Sequence, residues 1–193
     1  MSGTRRRFDV IETPRLTLRP VSDEDVPAVV PALGNYDVVR WLGRVPYPYR
    51  ISDAEAFVGA NAAKAGRVWF VHDASGLVGG LSIDGELGYW MRREVWGRGY
   101  AVEAAVAAID AHFATRDAGD LTSGHFPGND RSRRVLEKLG FRPSGTRIVA
   151  ARALAQQVEA CAYSLSHADW ACRRDDLSAP SVCATAARQG ATG

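Results

Sequence analysis

One stretch constrains this chain more than any other: Glu86-Leu-Gly-Tyr-Trp-Met-Arg-Arg-Glu-Val-Trp-Gly-Arg-Gly-Tyr-Ala-Val-Glu-Ala-Ala105. Glu86–Met91 reads as a strand, Gly97-Arg98-Gly99 as a tight turn, and the residues from about Tyr100 to Thr115 as a helix. Val102, Ala105, Val106, Ile109 and Phe113 form its apolar face at helical spacing. Glycines let the backbone turn sharply and come close to a ligand. The first N–H groups of a helix have no internal partner and lie at its positive end, which suits a phosphate or pyrophosphate. Met91, Arg92, Arg93, Gly97, Arg98, Gly99, Tyr100 and Ala101 are therefore the candidate anion-binding residues, the arginines adding charge-assisted bonds. A tight strand-to-helix turn alone would explain the glycines equally well. No Lys-Ser/Thr follows them, so this is not a P-loop, and the G-x-G-x-x-G of a dinucleotide site is incomplete.

The rest of the chain sets this unit in a mixed fold. Arg15–Arg19 alternates polar and apolar residues, as a strand does. Ser22-Asp-Glu-Asp25 suits a helix N-terminus, and Pro27 and Pro31 make the helix that follows short or broken. Residues 35–50 read as an aromatic loop. Ser52-Asp-Ala-Glu55 reads as a capping box opening a helix to about Lys64, with Gly66 as its stop. Strands are expected at Arg67–His72, Leu77–Ile83, Leu121–Phe126, Gly145–Ala151 and Val158–Ser166, and a helix at Asn129–Leu139. The resulting order, βααβββαβαββ, predicts an α/β (α+β) class: one domain with a mostly antiparallel sheet flanked by helices. That domain is expected over 9–170, with a solvated basic arm at 1–8 and a disordered tail at 173–193.

Composition narrows the function classes. At 193 residues and 46% hydrophobic, the chain is long enough for a core without disulfide or metal. A net charge of +2 is small for a polyanion binder, so no nucleic-acid partner is expected. No apolar run approaches the about 20 residues of a membrane span, and Asp9 and Glu12 interrupt any signal peptide. A cytoplasmic monomer or homodimer, off the membrane, is the expectation. Cys161, Cys172 and Cys183 fit no zinc or redox motif, so no metal is expected.

Trp96-Gly-Arg-Gly-Tyr-Ala101 after Leu87-Gly-Tyr-Trp90 resembles the acyl-CoA pyrophosphate motif of the GNAT N-acetyltransferases. Asn129-Asp-Arg-Ser-Arg-Arg-Val-Leu-Glu-Lys-Leu-Gly-Phe141 is similar to their second signature. With Glu12-Thr-Pro-Arg-Leu-Thr-Leu-Arg-Pro20, it resembles the group of ribosomal-protein N-terminal acetyltransferases. The resemblance spans about residues 10–170. It implies acetyl transfer from acetyl-CoA, as acyl-donor substrate, to a primary amine: a protein N-terminus, a polyamine or a small amino compound. Two positions depart from the pattern. Trp96 stands where the family usually has Gln or Arg, and Leu136 stands where many members have a tyrosine that protonates the leaving thiolate.

Such a transfer needs a base for the amine, a donor for the thioester oxygen and a stabiliser for the departing sulfur. Glu86 is the candidate base, since members often carry a carboxylate there and partial burial raises a glutamate pKa. Ser132 is the candidate donor to the thiolate in place of the absent tyrosine, or a local helix cap. The resemblance implies that Asn129 binds the pantetheine, while an N-cap role is equally open to it. Trp41, Tyr47 and His125 are the candidate acceptor-site residues, with Tyr49 in the same loop; a structural histidine and a plain hydrophobic lid are the simpler readings. Glu103 is expected to be structural. The alternative function is a non-catalytic acyl-CoA-binding sensor. An enzyme acting on charged tRNA is disfavoured by the charge balance.

Overall fold

The computed structural model describes residues 10–64 and 67–178. The basic arm at 1–8, Gly66 and residues 179–193 of the expected tail lie outside the described residues.

Five strands form the larger sheet in the order β1 (Ile11–Glu12), β2 (Thr17–Pro20), β3 (Val68–Asp73), β4 (Gly76–Ile83) and β5 (Leu87–Met91), all pairs antiparallel. A three-stranded antiparallel sheet follows, ordered β6 (Leu121–His125), β8 (Gln156–Leu165), β7 (Arg142–Ala151). The sheets meet at one parallel bridge, Glu86 to Thr122.

Both faces of the larger sheet are covered, which explains the unbroken apolar run Val68-Trp-Phe-Val71. Trp69 and Val71 join the core beneath α4 (Tyr100–Phe113) and α5 (Asp130–Lys138). Val68 and Phe70 face the other way, toward α1 (Val26–Leu33) and α3 (Ile51–Asn61). Helix α4 lies close to the sheet because Ala104, Ala105, Ala108 and Ile109 are fully buried there. Its contact face is thus turned slightly from the expected one, leaving Val102 and Val106 half-buried.

Several elements differ from the sequence expectation. Helix α3 starts at Ile51, and the Asp53 carboxylate accepts the Arg50 N–H at 2.9 Å, so the capping acid is Asp53, not Glu55. The aromatic loop contains a short helix, α2 (Tyr36–Val39), capped by Asn35; four residues are too few to show a period. Pro27 falls at the tolerated first positions of α1, and Pro31 lies inside this short helix.

The C-terminal segment is the largest correction. It forms α6 (His167–Ser178), so residues 173–178 are helical and not tail. Trp170 is buried and donates its indole N–H to Asp110 at 3.0 Å. Arg174 Nε bonds the same carboxylate at 2.8 Å, and Arg173 bonds the Lys138 carbonyl. One buried indole and these arginines dock a helix whose sequence is otherwise polar.

Candidate active site

Strands β5 and β6 start together and then part. The Thr122 N–H donates to the Gly85 carbonyl at 3.0 Å, and the Ser123 hydroxyl donates to the Leu87 carbonyl at 2.8 Å. Beyond these bonds no ladder joins the two strands among the described residues. From the β5 side of the gap, Tyr89 reaches α5. Its hydroxyl lies 2.8 Å from Ser132 Oγ and 3.3 Å from the Ser132 carbonyl, so its one proton can go to either oxygen. Burial pushes the Tyr89 pKa up to about 12, against the Ser132 hydrogen bond, which works to lower it. Tyr89 therefore stays protonated near neutral pH and can donate to Ser132 Oγ, freeing the serine proton for a third group. Asn129 caps α5, its Oδ1 accepting the Ser132 N–H at 3.3 Å. Leu136, at the family's tyrosine position, is fully buried in the main core.

At the other end of the gap is the start of α4. Gly97 and Gly99 both have φ +80°, a backbone state that side chains disfavour. Gly99 caps the helix without any side-chain bond, so the first N–H groups of α4 stay open to an anion. Arg98 makes no ion pair among the described residues, and Arg131 of α5 stacks on the Trp96 ring at 3.9 Å. Trp96, the departure from the family pattern, gives its indole N–H to the Met91 carbonyl at 2.9 Å and so braces the loop. Arg92 and Arg93 are partly engaged, Arg92 with Glu94 and Arg93 with Asp37. Tyr100 donates its hydroxyl to Asp73 at 3.2 Å.

A clasp holds this loop from below. Glu103 accepts from the Thr13 hydroxyl at 2.7 Å, the Arg15 N–H at 2.9 Å and Arg15 Nε at 2.6 Å. Burial works to raise the Glu103 pKa, but the hydrogen bonds from Thr13 and Arg15 outweigh it and hold the carboxyl below its ordinary range. Arg15 also bonds the Arg98 carbonyl at 2.9 Å and lies over the Tyr100 ring. The Glu12-Thr-Pro-Arg15 signature thus braces the glycine turn before α4, and Glu103 holds it there through three hydrogen bonds.

Glu86 sits at the fork of the two sheets, its side chain 30% exposed. Its carboxylate is not in an apolar pocket. Arg147 of β7 bonds Oε1, and Arg44 approaches Oε2 at 3.4 Å. This differs from the desolvated surroundings that the sequence suggests.

The acceptor candidates separate. Trp41 packs on Phe126, Ala151 and Val149 and lines the Arg147 side of the smaller sheet. Tyr47 is 45% exposed, edge-on to Tyr36 at 5.1 Å, while Tyr49 is buried in the core between α1 and α3. His125 alternates with Gly124 and Phe126, so it faces away from Arg147, toward Cys161 and Tyr163. It is buried, with Nδ1 3.0 Å from the Phe126 carbonyl and Nε2 3.4 Å from the Tyr163 hydroxyl. The structure therefore does not bring His125 to the face that holds Trp41 and Glu86.

Sequence reasoning missed Tyr89, Arg44, Arg147, Arg131 and Arg15. Arg15, Tyr89 and Arg131 lay inside the motifs, where nothing local marked their contacts. The remainder become neighbours only through the folding of distant segments. Among the described residues no group of three or more His, Cys, Asp or Glu side chains could hold a metal ion, and no helix is long and apolar enough to cross a membrane.

Comparison with known proteins identifies the family and the fold. Residues 15–142 match the family described as "Acetyltransferase (GNAT) domain". An N-acetyltransferase of Bacillus subtilis named YoaA is 27% identical over 151 residues, covering 72% of this chain and 85% of that protein. Mycobacterium smegmatis RimJ, solved in complex with a CoA disulfide, superposes with a TM-score of 0.74 at 19% identity, over 89% of this chain and 95% of that one. RimL, a ribosomal L7/L12 α-N-protein acetyltransferase solved with coenzyme A, gives 0.69 at 16% identity, over 81% and 97%. At such identities the solved structures share the fold.

Proposed function

This chain belongs to the GNAT acetyltransferase domain family, and from that premise we propose that it transfers an acetyl group from acetyl-CoA to a primary amine, a protein N-terminus before a small amine. The observation that carries the reading is the alignment of the open, glycine-capped start of α4 with the gap between β5 and β6, across which Tyr89 meets Ser132. The family uses acetyl-CoA as co-substrate, and the residues at this gap fit it. Gly97, Arg98, Gly99, Tyr100 and Ala101 would receive the pyrophosphate through backbone N–H groups, with Arg92, Arg93 and Arg131 near by. Asn129 would bond the pantetheine through its Nδ2, which has no partner among the described residues. The preference for a protein N-terminus rests on likeness to RimJ and RimL in fold, together with the sequence signatures.

The thioester supplies the acyl group, and this chain's residues manage the protons. An amine acceptor arrives as an ammonium. Glu86 takes one proton from it, directly or through a water, and later passes it to solvent; the nitrogen then bonds the carbonyl carbon, the C–S bond breaks with its electron pair on sulfur, and the nitrogen gives its second proton, through water, to the thiolate, leaving the amide and the free thiol. Ser132, with Tyr89 donating to its oxygen, turns its own proton toward the sulfur. A serine hydroxyl is a weak acid, so this is hydrogen-bond stabilisation of the thiolate. Trp41 and Tyr47 flank the route of the acceptor.

The occupied carboxylate of Glu86 favours a second reading, an acyl-CoA-binding sensor without turnover. Thiol release from acetyl-CoA across a panel of amines and N-terminal peptides decides between them. Amine-dependent release is expected; acetyl-CoA binding with no release on any amine establishes the sensor.

A further inference from the structure

The acceptor side of the fork is far more cationic than the chain as a whole, whose net charge is +2. Arg147 and Arg44 hold Glu86 from either side. The Arg152 guanidinium reaches the Arg44 carbonyl at 3.4 Å, and its backbone N–H donates to the Gly43 carbonyl at 3.0 Å, so the loop after α2 and the turn after β7 are tied together. Arg40 stacks on Trp41 at 4.5 Å. Arg40 and Arg152 have no ion pair among the described residues, so of these four guanidiniums two bond the one carboxylate and two carry uncompensated charge beside them. The floor between them is bare. Gly124 carries no side chain, and a Cβ there would sit 2.7 Å from the Cys161 carbonyl and 3.5 Å from the Arg147 guanidinium. The arginine therefore lies over open backbone.

Two consequences follow. A polyamine or a lysine-rich segment would be repelled on approach, whereas an anion would be drawn in. Glu86 can serve an ammonium only after a guanidinium lets it go. Arg44 is the loose partner: its side chain is 93% exposed and its contact with Glu86 is 3.4 Å, and an exposed pair of that kind contributes little. Arginine forks bind carboxylates with two parallel bonds, so a substrate carboxylate competes well for them.

Resting on the proposed acetyl transfer, we infer that the acceptor amine carries its own carboxylate, which binds Arg44 and Arg147 and by taking them releases Glu86 toward the ammonium. The same recognition serves an acidic residue near a protein N-terminus and a free amino carboxylate. The anion thus fixes which amines are taken and prepares the base in one exchange of ion pairs.

The test measures kcat/KM for thiol release with Ser-Asp-Glu-Ala amide, Ser-Ala-Ala-Ala amide, Ser-Lys-Lys-Ala amide, spermidine, free aspartate and free alanine. The acidic peptide or the free amino acids should exceed the neutral peptide by about tenfold or more, and the lysine peptide should fall below it. Whichever of the two anionic arms leads identifies the source. The preference should shrink with added salt. Arg44→Glu, at an exposed position that does not threaten folding, should cut use of the acidic peptide and raise use of the lysine peptide, a swap that mere structural damage cannot produce. Arg142→Gln, which removes an arginine bonded to Asp169 near α6, should leave the ranking unchanged. Equal rates across the peptides and the free amino acids, or a preference for the lysine peptide or spermidine, overturn the inference while leaving acetyl transfer standing. If no amine is turned over, the proposed reaction fails first, and calorimetry with the acidic peptide decides the rest: binding that Arg44→Glu abolishes retains the carboxylate site, and no binding removes it.

Discussion

The two ends of the gap between β5 and β6 are built in different ways. The end at α4 is made of backbone: two glycines at positive φ and a helix start with no side-chain cap, with Arg15, Trp96 and Glu103 bracing it from behind. The end at Glu86 is made of side chains from distant segments, Arg44 from the loop after α2, Glu86 before β5 and Arg147 on β7. A site made of backbone tolerates change in most side chains and depends on local conformation. One made of ion pairs depends on particular charged groups and can be rearranged by whatever binds. Substitutions at the first should therefore act on cofactor affinity, and at the second on turnover.

The largest effect is expected at the fork. Glu86→Gln keeps shape and removes the charge, so turnover should fall about 10²- to 10⁴-fold with acetyl-CoA affinity unchanged. Wild-type turnover in this variant would place the base elsewhere and dissolve the contrast between the two ends. Next comes the hydroxyl pair. Ser132→Ala removes the proposed donor to sulfur and should cost about 10²- to 10³-fold in kcat. Tyr89→Phe removes only the bond that orients the serine, for about tenfold. Measured KM for acetyl-CoA should barely move in either. A silent Ser132→Ala would reduce that serine to a helix residue beside its Asn129 cap.

How legible each end was follows from the same difference. The glycine turn, the helix after it and the second signature are contiguous, and local rules of strand, turn and cap are enough to find them. The mostly antiparallel sheet and its helical flanks were legible for that reason too. Missed were elements too short for a period, β1 and α2, and α6, whose docking hangs on Trp170 and Asp110 across the fold. At the candidate site, the place of Glu86 before the strand was legible, but its two guanidinium neighbours were not. Arg44 and Arg147 lie 42 and 61 residues away in sequence, and no local pattern marks them. His125 shows the converse: it stands at the right height on β6, yet a strand alternates, and the alternation turns it to the other face.

At the backbone end the expected effect is smaller and of another kind. Gly99→Val forces a β-branched residue into positive φ beside the Arg15 guanidinium, 3.5 Å from the new Cβ. Strain of about 1–3 kcal/mol should weaken acetyl-CoA binding by about 10- to 100-fold, with kcat at saturation nearly intact. Calorimetry on protein whose circular dichroism is unchanged reads this directly. Unaltered affinity would remove the pyrophosphate from this loop.

The smallest effect concerns the clasp, and pH separates its charge from its shape. Glu103→Gln retains a side chain of similar size but replaces the anion that Thr13 and Arg15 bond. Arg15 is half exposed, so screening limits the loss to about 1–2 kcal/mol of unfolding free energy. The Glu103 carboxyl is held below its ordinary value in the folded chain. A group with a lowered folded pKa binds fewer protons folded than unfolded, so stability rises with pH through that window. Its contribution is complete above the ordinary glutamate value of about 4.3 and drains away as pH falls through the lowered folded value. Wild type should therefore lose stability more steeply than Glu103→Gln below about pH 4.5, and the two denaturation curves should converge in acid. A constant separation from neutral pH to acid would mean that the amide's shape, not the lost charge, loosens the clasp. Convergence, together with weaker acetyl-CoA binding in the variant at neutral pH, would tie Glu103 through Arg15 and the Arg98 carbonyl to the geometry of the glycine loop.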